Sequence, residues 1–388
     1  MKLAKRVSDI GESVTLQITS KAKKMAKEGI DVVSFAAGEP DFDTPDFIKQ
    51  AAIKALNEGF TKYTPSSGIP ELREAICAKF KKDNGLDYSP AQIVVSNGAK
   101  HSLYNIFQAI CEAGDEVIIP APYWLSYPAM VNMAEAKSVF VQTSAENNFK
   151  VTEKYLEAKI TKKTKCLVLN SPSNPTGSLY EKSDLEMVAK LAVKHRFFVI
   201  SDEIYEKLVY GGKKYVSIAS LGKDINGQTI TVNGVSKSYS MTGWRIGYAA
   251  GPLEIMQAIA NVKSHATSNP ASISQKATLA ALTGDQAFID KMRAEFEKRR
   301  DIMVSRINRM KSVSCIKPDG AFYVFCDISK LKAPAADIAN RLLDEARIAV
   351  IPGEPFGADS FIRFSFATSQ QAINKGMDRL EEWLKKNG

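Results

Sequence analysis

From about residue 90 the chain alternates short apolar runs with stretches in which apolar residues recur at helical spacing. Ile93-Val94-Val95-Ser96 predicts a strand, and His101–Glu112 predicts the helix that follows it. Glu116–Ile119 and Cys166–Asn170 predict two more strands, the second followed by a helix over Glu181–Lys194. Phe197–Asp202 is a continuous apolar run of the kind buried on both faces of a parallel sheet. Thr229–Val235 and Arg245–Gly251 extend the series. Strands alternating with helices in this way point to an α/β domain with a mainly parallel sheet.

The flanks carry a different pattern. An amphipathic helix near Ile18–Lys27 precedes a short strand, Val32–Phe35. Past residue 285 comes a long, heavily charged helix, Gln286–Met310, suited to bridging two domains. Strands at Ala321–Asp327 and Phe361–Phe366, with helices at Ala335–Ala346 and Gln370–Lys385, predict a smaller α+β unit. No Gly/Ser-rich linker and no internal repeat interrupts the sequence. The expected organisation is an N-terminal arm and part of a small domain over residues 1–45, a large domain over 46–285, and a bridging helix with a small C-terminal domain over 286–388.

Composition changes this picture by exclusion. With 45% hydrophobic and 24% charged residues, disorder, collagen and coiled coil are ruled out. The formal charge of +9 raises nucleic acid as a partner, but blocks of five or more like charges are absent. The short basic tracts Lys21-Ala22-Lys23-Lys24 and Lys162-Lys163 read as solvated surface, so no nucleic-acid partner is expected. No run is long enough to span a membrane, and MKLAKRVSDI lacks the apolar core of a signal peptide. The five cysteines form no CxxC pair, and four lie in apolar segments; buried, reduced thiols in a cytoplasmic protein are expected. His101, His195 and His265 show neither HxxxH nor HExxH spacing, which leaves no zinc site and no serine-hydrolase triad. His195 reads as a helix-end residue before a buried strand.

Ligands of open α/β sheets collect at the carboxyl ends of the strands. Asp202, in SDEIY, ends one strand there. Asn170 ends another, with the turn Asn174-Pro175-Thr176-Gly177 just beyond it. Lys237 follows a third within Ser236-Lys237-Ser238, and Arg245 is expected to begin the next strand. Each has a plain structural reading: a carboxylate capping a helix, an exposed lysine, an ordinary turn. Together they place a carboxylate, an amine and a guanidinium at one pocket. Pyridoxal phosphate needs that set: a lysine for a Schiff base, an Asp for the ring nitrogen, and donors for the phosphate. Arg245 can grip phosphate bidentately, and the turn Asn97-Gly98-Ala99-Lys100 offers backbone N–H groups at a helix start. A Walker A motif and a GxGxxG fingerprint are both absent.

The block SKSYSMTGWR (236–245) resembles the lysine motif of the class I pyridoxal-phosphate aminotransferases of fold type I. AAGEPDFDTP (36–45), KYTPSSGIPELREA (62–75), APYWLSYP (121–128), NSPSNPTG (170–177), VISDEIYEKL (199–208) and FIRFSFATS (361–369) resemble that family's other blocks, in its order. The likeness spans essentially the whole chain and is nearest to the prokaryotic-type aspartate aminotransferases. It implies an α/β large domain with a mainly parallel seven-stranded sheet, plus a smaller α+β domain from both termini.

The resemblance also implies roles. Lys237 would be the Schiff-base lysine and proton shuttle. Asp202 would pair with the pyridinium nitrogen, Tyr205 and Asn174 with the phenolic oxygen, and Trp124 would stack on the ring. Gly98, Ala99, Lys100, Ser236 and Arg245 would surround the phosphate. Tyr63 would reach that phosphate from the neighbouring subunit of a homodimer. Arg363 would bind the substrate α-carboxylate, assisted by Asn174 and the Gly38 backbone, with Trp124 alongside. Lys100 would meet a distal carboxylate, helped by Ser13 and Thr15. The activity implied is transfer from aspartate to 2-oxoglutarate. A broader aromatic or prephenate aminotransferase, a β-lyase, and a non-catalytic relative that kept the fold stay open as alternatives. Many relatives carry Lys-Pro-Ser near the N-terminus where this chain has Gly11-Glu12-Ser13, which argues against prephenate.

Overall fold

The structure is a computed structural model that describes residues 4–8, 10–11 and 14–387. Among the described residues thirteen strands, in chain order, build its sheets. They are β1 (Val33–Ser34), β2 (Ile93–Ser96), β3 (Glu116–Ala121), β4 (Lys137–Gln142), β5 (Thr164–Asn170), β6 (Phe198–Asp202), β7 (Thr229–Gly234) and β8 (Gly247–Ala250). After these come β9 (Ser314–Cys315), β10 (Tyr323–Asp327), β11 (Ile348–Ala349), β12 (Ile351–Pro352) and β13 (Phe361–Ser365).

The large sheet has seven strands in the order β2-β8-β7-β6-β5-β3-β4. Only β8 runs against its neighbours, antiparallel to both β2 and β7. The apolar runs are continuous because both faces are covered. Val117, Ile119, Cys166, Val168 and Ile200 pack into one core beneath the helices Ala99–Ile110 and Leu253–Ala266. Their chain neighbours Ile118, Leu167, Leu169 and Val199 pack into another beneath the helix Lys182–His195. Side chains of period two thus feed two apolar layers.

Four details differ from the sequence expectation. The edge strand β4, KSVFVQ, was not expected; it bonds to β3 alone and its ends are exposed, so it lacks the unbroken apolar run of an interior strand. The helix after β2 begins at Ala99 rather than His101, because Gly98 turns the chain at φ 92° as its N-cap. Arg245 does not begin β8. It sits two residues earlier at φ 55°, in a conformation that turns its guanidinium back toward Asn97. Cys166 and Cys326 are buried, but Cys77, Cys111 and Cys315 are only half-buried; all five are free.

A second sheet, β12-β13-β10-β9, is antiparallel throughout. Beside it β1, from the N-terminal part of the chain, pairs in parallel with β11. The helix Ala287–Ile307 connects the two cores: Ile289 packs with the large sheet's flank, whereas Met292, Phe296, Met303 and Ile307 pack with the small sheet. Between β1 and residue 44 the chain runs as a strap across the junction. Its Glu39 accepts from Thr242 Oγ1 (2.7 Å), its Asp41 accepts from Arg299 (2.7 Å), and its Thr44 donates to the Ser240 carbonyl (2.6 Å). No helix among the described residues is long and apolar enough to cross a membrane.

Candidate active site

The carboxyl ends of β5, β6 and β7 open onto a cavity of about 310 Å³. Asp202, the last residue of β6, is 4% exposed. Its carboxylate accepts from the Tyr127 hydroxyl (2.7 Å) and from the Ile204 N–H (3.3 Å). Burial raises its pKa to about 6, against the pull of those two donors and of Lys237. Asn170, the last residue of β5, bonds the Asp202 carbonyl (3.0 Å) and accepts from the Asn174 N–H (2.8 Å), so neighbouring strand ends lock together.

Lys237 lies in the turn after β7, and its ammonium donates to the Gly38 carbonyl (2.6 Å). Burial lowers its pKa to about 8; Glu39 and Asp202 resist, while Arg245 and Arg363 push it further down. An amine so placed is available unprotonated near neutral pH.

At one end of the cavity the 99–110 helix points its N-terminus inward. Gly98 caps it with no side-chain bond, leaving its first N–H groups to an anion. Arg245 reaches across, donating to the Thr242 carbonyl (2.9 Å) and the Asn97 carbonyl (3.3 Å). A Cβ at Gly98 would stand 2.5 Å from the Arg245 guanidinium, so glycine is what the approach allows. Ser236 lines the same end. Lys100 holds its ammonium 4.9 Å from the Trp124 ring centre, and desolvation, followed by Arg245, lowers its pKa.

At the other end stands Arg363, 2% exposed on β13. It donates to the Asn174 side chain (2.9 Å) and the Ala36 carbonyl (3.1 Å), and stacks 4.4 Å from the Tyr323 ring centre. Its Nε has no partner, and among the described residues no carboxylate pairs with it. A buried guanidinium left this way is prepared for an incoming anion. Tyr205 shares a hydrogen bond of 2.9 Å with Tyr323 beside it.

Among the residues expected from sequence, Gly38, Ala99, Lys100, Trp124, Asn174, Asp202, Tyr205, Ser236, Lys237, Arg245 and Arg363 all line this cavity, and Gly98 abuts Arg245. Thr15 lines it too, with its hydroxyl buried and without a partner. The backbone group that meets Arg363 is the Ala36 carbonyl, while that of Gly38 goes to Lys237. Tyr63 is not in the cavity; it stands 91% exposed on the surface. Ser13 and Glu12 lie outside the described residues. Sequence reasoning missed Tyr127 and Tyr323. The signal for Tyr127 was a phenol inside an apolar helix, which needs a polar partner when buried. No group of His, Cys, Asp or Glu among the described residues is placed to hold a metal ion.

The donor set fits pyridoxal phosphate: a helix N-terminus with no side-chain cap and Arg245 for a phosphate dianion, a lysine amine with its pKa lowered to about 8, and a buried carboxylate for a ring nitrogen. A family model for aminotransferases of class I and II matches residues 30–380. The chain is 48% identical over 389 residues to an aspartate aminotransferase of Geobacillus stearothermophilus, covering 99% of each. It matches the crystal structure of the aspartate aminotransferase from Rhizobium meliloti at TM-score 0.96 and 42% identity, over 100% of both chains. It matches that of Thermus thermophilus, solved with maleate, at TM-score 0.95 and 44% identity, over 98% of this chain and 99% of that one.

Proposed function

We propose that this chain, which belongs to the class I and II aminotransferases and is a pyridoxal-phosphate-dependent enzyme, moves the amino group of L-aspartate to 2-oxoglutarate, giving oxaloacetate and L-glutamate. One observation carries the substrate reading. Two cations, Arg363 and Lys100, line a single cavity, and among the described residues neither has a carboxylate partner. A substrate with one carboxylate at Cα and another at the far end of a short chain answers both.

The division of labour follows from the residues. Arg363 grips the α-carboxylate in a bidentate fork and fixes which bond at Cα faces the reacting side. Lys237 would take the Cα proton at Nζ and return it two atoms along, a 1,3 shift that its lowered pKa permits. Asp202, kept ionised by the Tyr127 hydroxyl, holds a proton on the ring nitrogen. Trp124 would stack on the ring, and Tyr205 and Asn174 would hold its phenolic oxygen. Arg245, Ser236, Gly98, Ala99 and the helix N-terminus would hold the phosphate. Thr15 assists Lys100 at the distal carboxylate, the Gly38 carbonyl steadies Lys237 and the Ala36 carbonyl steadies Arg363. The cofactor supplies an electron sink for the charge left at Cα.

The working unit is a homodimer in which Tyr63, 91% exposed on a loop of the large domain, reaches the phosphate site of the second copy. Five free thiols favour the cytoplasm as its compartment.

Amino-donor profiling of the holoenzyme with 2-oxoglutarate tests the activity, with aspartate expected to lead aromatic donors. Lys100→Ala is expected to lower kcat/KM for aspartate by roughly tenfold to a hundredfold, the size of a desolvated charge-assisted bond, while sparing an aromatic donor. Equal losses for both donors would assign Lys100 to the phosphate and remove the main support for aspartate.

A further inference from the structure

Lys263, in the helix Leu253–Ala266, has 0% of its surface exposed. Such burial of a lysine calls for a paired charge or a full set of hydrogen bonds. Among the described residues no carboxylate pairs with it, and burial alone pulls its pKa down to about 8. Its ammonium donates instead to two backbone carbonyls from distant parts of the chain, Ser66 and Ser268. A methionine or glutamine would fill the same space without desolvating a charge. The charge therefore has a job that filling does not do: it pulls two carbonyls to one point.

A second fully buried side chain works on the same two segments. Gln275 accepts from the Ile69 N–H (2.8 Å) and donates to the Thr64 hydroxyl (2.9 Å) and the Pro270 carbonyl (2.9 Å). The Ser67 carbonyl accepts from the Val95 N–H (3.0 Å), and Gly68 lies against the Val95 side chain, with no room for a Cβ. Residues 64–69 and 268–270 are thereby fastened to each other and to β2. The residue just before the clamped stretch is Tyr63, whose ring touches little of its own chain.

We propose that Lys263 is a positioning residue that joins the 64–69 and 268–270 segments into one rigid surface, which presents Tyr63 to the cofactor phosphate site of a second copy of the chain. This rests on the reading that Tyr63 completes the partner's site. It differs from a local stabilising role in one respect: the effect of Lys263 on the cofactor passes through Tyr63.

A double-mutant cycle separates the two. Holoenzyme is prepared as wild type, Tyr63→Phe, Lys263→Met and the double variant, and the cofactor dissociation constant is read from loss of its absorption band on dilution. Amide hydrogen exchange of residues 60–70 is followed in parallel. Each single variant is expected to weaken cofactor binding by about tenfold, the loss of one charge-assisted bond. The double variant is expected to be no weaker than Tyr63→Phe alone, and exchange over 64–69 to speed up in Lys263→Met. If Tyr63→Phe loosens the cofactor but Lys263→Met does not, or if the two losses multiply, the clamp is overturned and the composite site stands. If Tyr63→Phe binds cofactor as wild type does, the composite site fails and the clamp's purpose with it. Should Lys263→Met not yield folded dimer, Lys263→Gln, which keeps a donor for one carbonyl, takes its place in the same cycle.

Discussion

Asp202 and Glu203 are chain neighbours at the end of one strand, both buried, yet their surroundings give them opposite characters. Asp202 lines the cavity and faces a phenol, a backbone N–H and the Lys237 amine. Glu203 turns away into a buried polar cluster. It accepts from Ser217 and from Ser201 (3.0 Å), with Glu206 close by. Glu206 in turn is paired with Lys79 and accepts from Asn84 (2.8 Å). Burial raises both acids, Asp202 to about 6 and Glu203 to about 7, the latter pushed further by Glu206. Burial alone therefore does not mark a working carboxylate. The difference is access to a cavity and the nearest charge, which is the Lys237 amine for Asp202 and a second carboxylate, Glu206, for Glu203.

The comparison breaks hardest at Lys237, the cation that Asp202 faces. Lys237→Ala is expected to lower turnover by at least ~10²–10⁴, the weight of a proton shuttle, while circular dichroism shows the fold intact. Near wild-type turnover would remove Lys237 from that role. Next comes the pair itself. Asp202→Asn is expected to cost about 10²-fold in kcat, as removal of a preorganised charge does. Glu203→Gln should leave kcat within a factor of about two and appear only in stability. There the sign is fixed by linkage. The folded state holds Glu203's proton up to about pH 7, whereas an unfolded glutamate releases it near ~4.3. Stability should fall as pH rises between those values and level off above, and Glu203→Gln should flatten that slope in thermal melts. An unchanged slope would mean another group carries it. A smaller loss than that of Asp202→Asn is expected at Tyr127→Phe, which removes the donor that holds Asp202 ionised. Its acid limb in the kcat–pH profile should move upward, with a loss of about tenfold or less at neutral pH.

How much of this was readable in advance depends on distance along the chain. Strands β5 and β6 were legible because apolar residues on both faces leave a nearly unbroken run, and their polar last residues, Asn170 and Asp202, marked the site. Strand β4 was not, since an edge strand with one neighbour needs no such run. The left-handed turn at Arg245 was hidden as well, because what favours it is a guanidinium reaching Asn97, 148 residues away. Tyr127 and Tyr323 escaped notice for the same reason. Their partners lie 75 and 118 residues distant, and no local pattern encodes such a pairing. Lys263 is the extreme case, for a lysine in an amphipathic helix reads as surface until the carbonyls it gathers are seen.

The strap between β1 and residue 44 has a consequence for how such a sequence can change over time. Within a few residues it offers the Ala36 carbonyl to Arg363, the Gly38 carbonyl to Lys237, Glu39 to Thr242 and Asp41 to Arg299. Those partners come from both sheets and from the helix between them. Most connecting segments tolerate gain or loss of a residue. Here a single insertion would slide every later carbonyl and carboxylate out of register at once, uncoupling the substrate-facing guanidinium from the amine it must work beside. Ala36 and Gly38 serve through their carbonyls and Glu39 and Asp41 through their carboxylates, and the spacing between them cannot change.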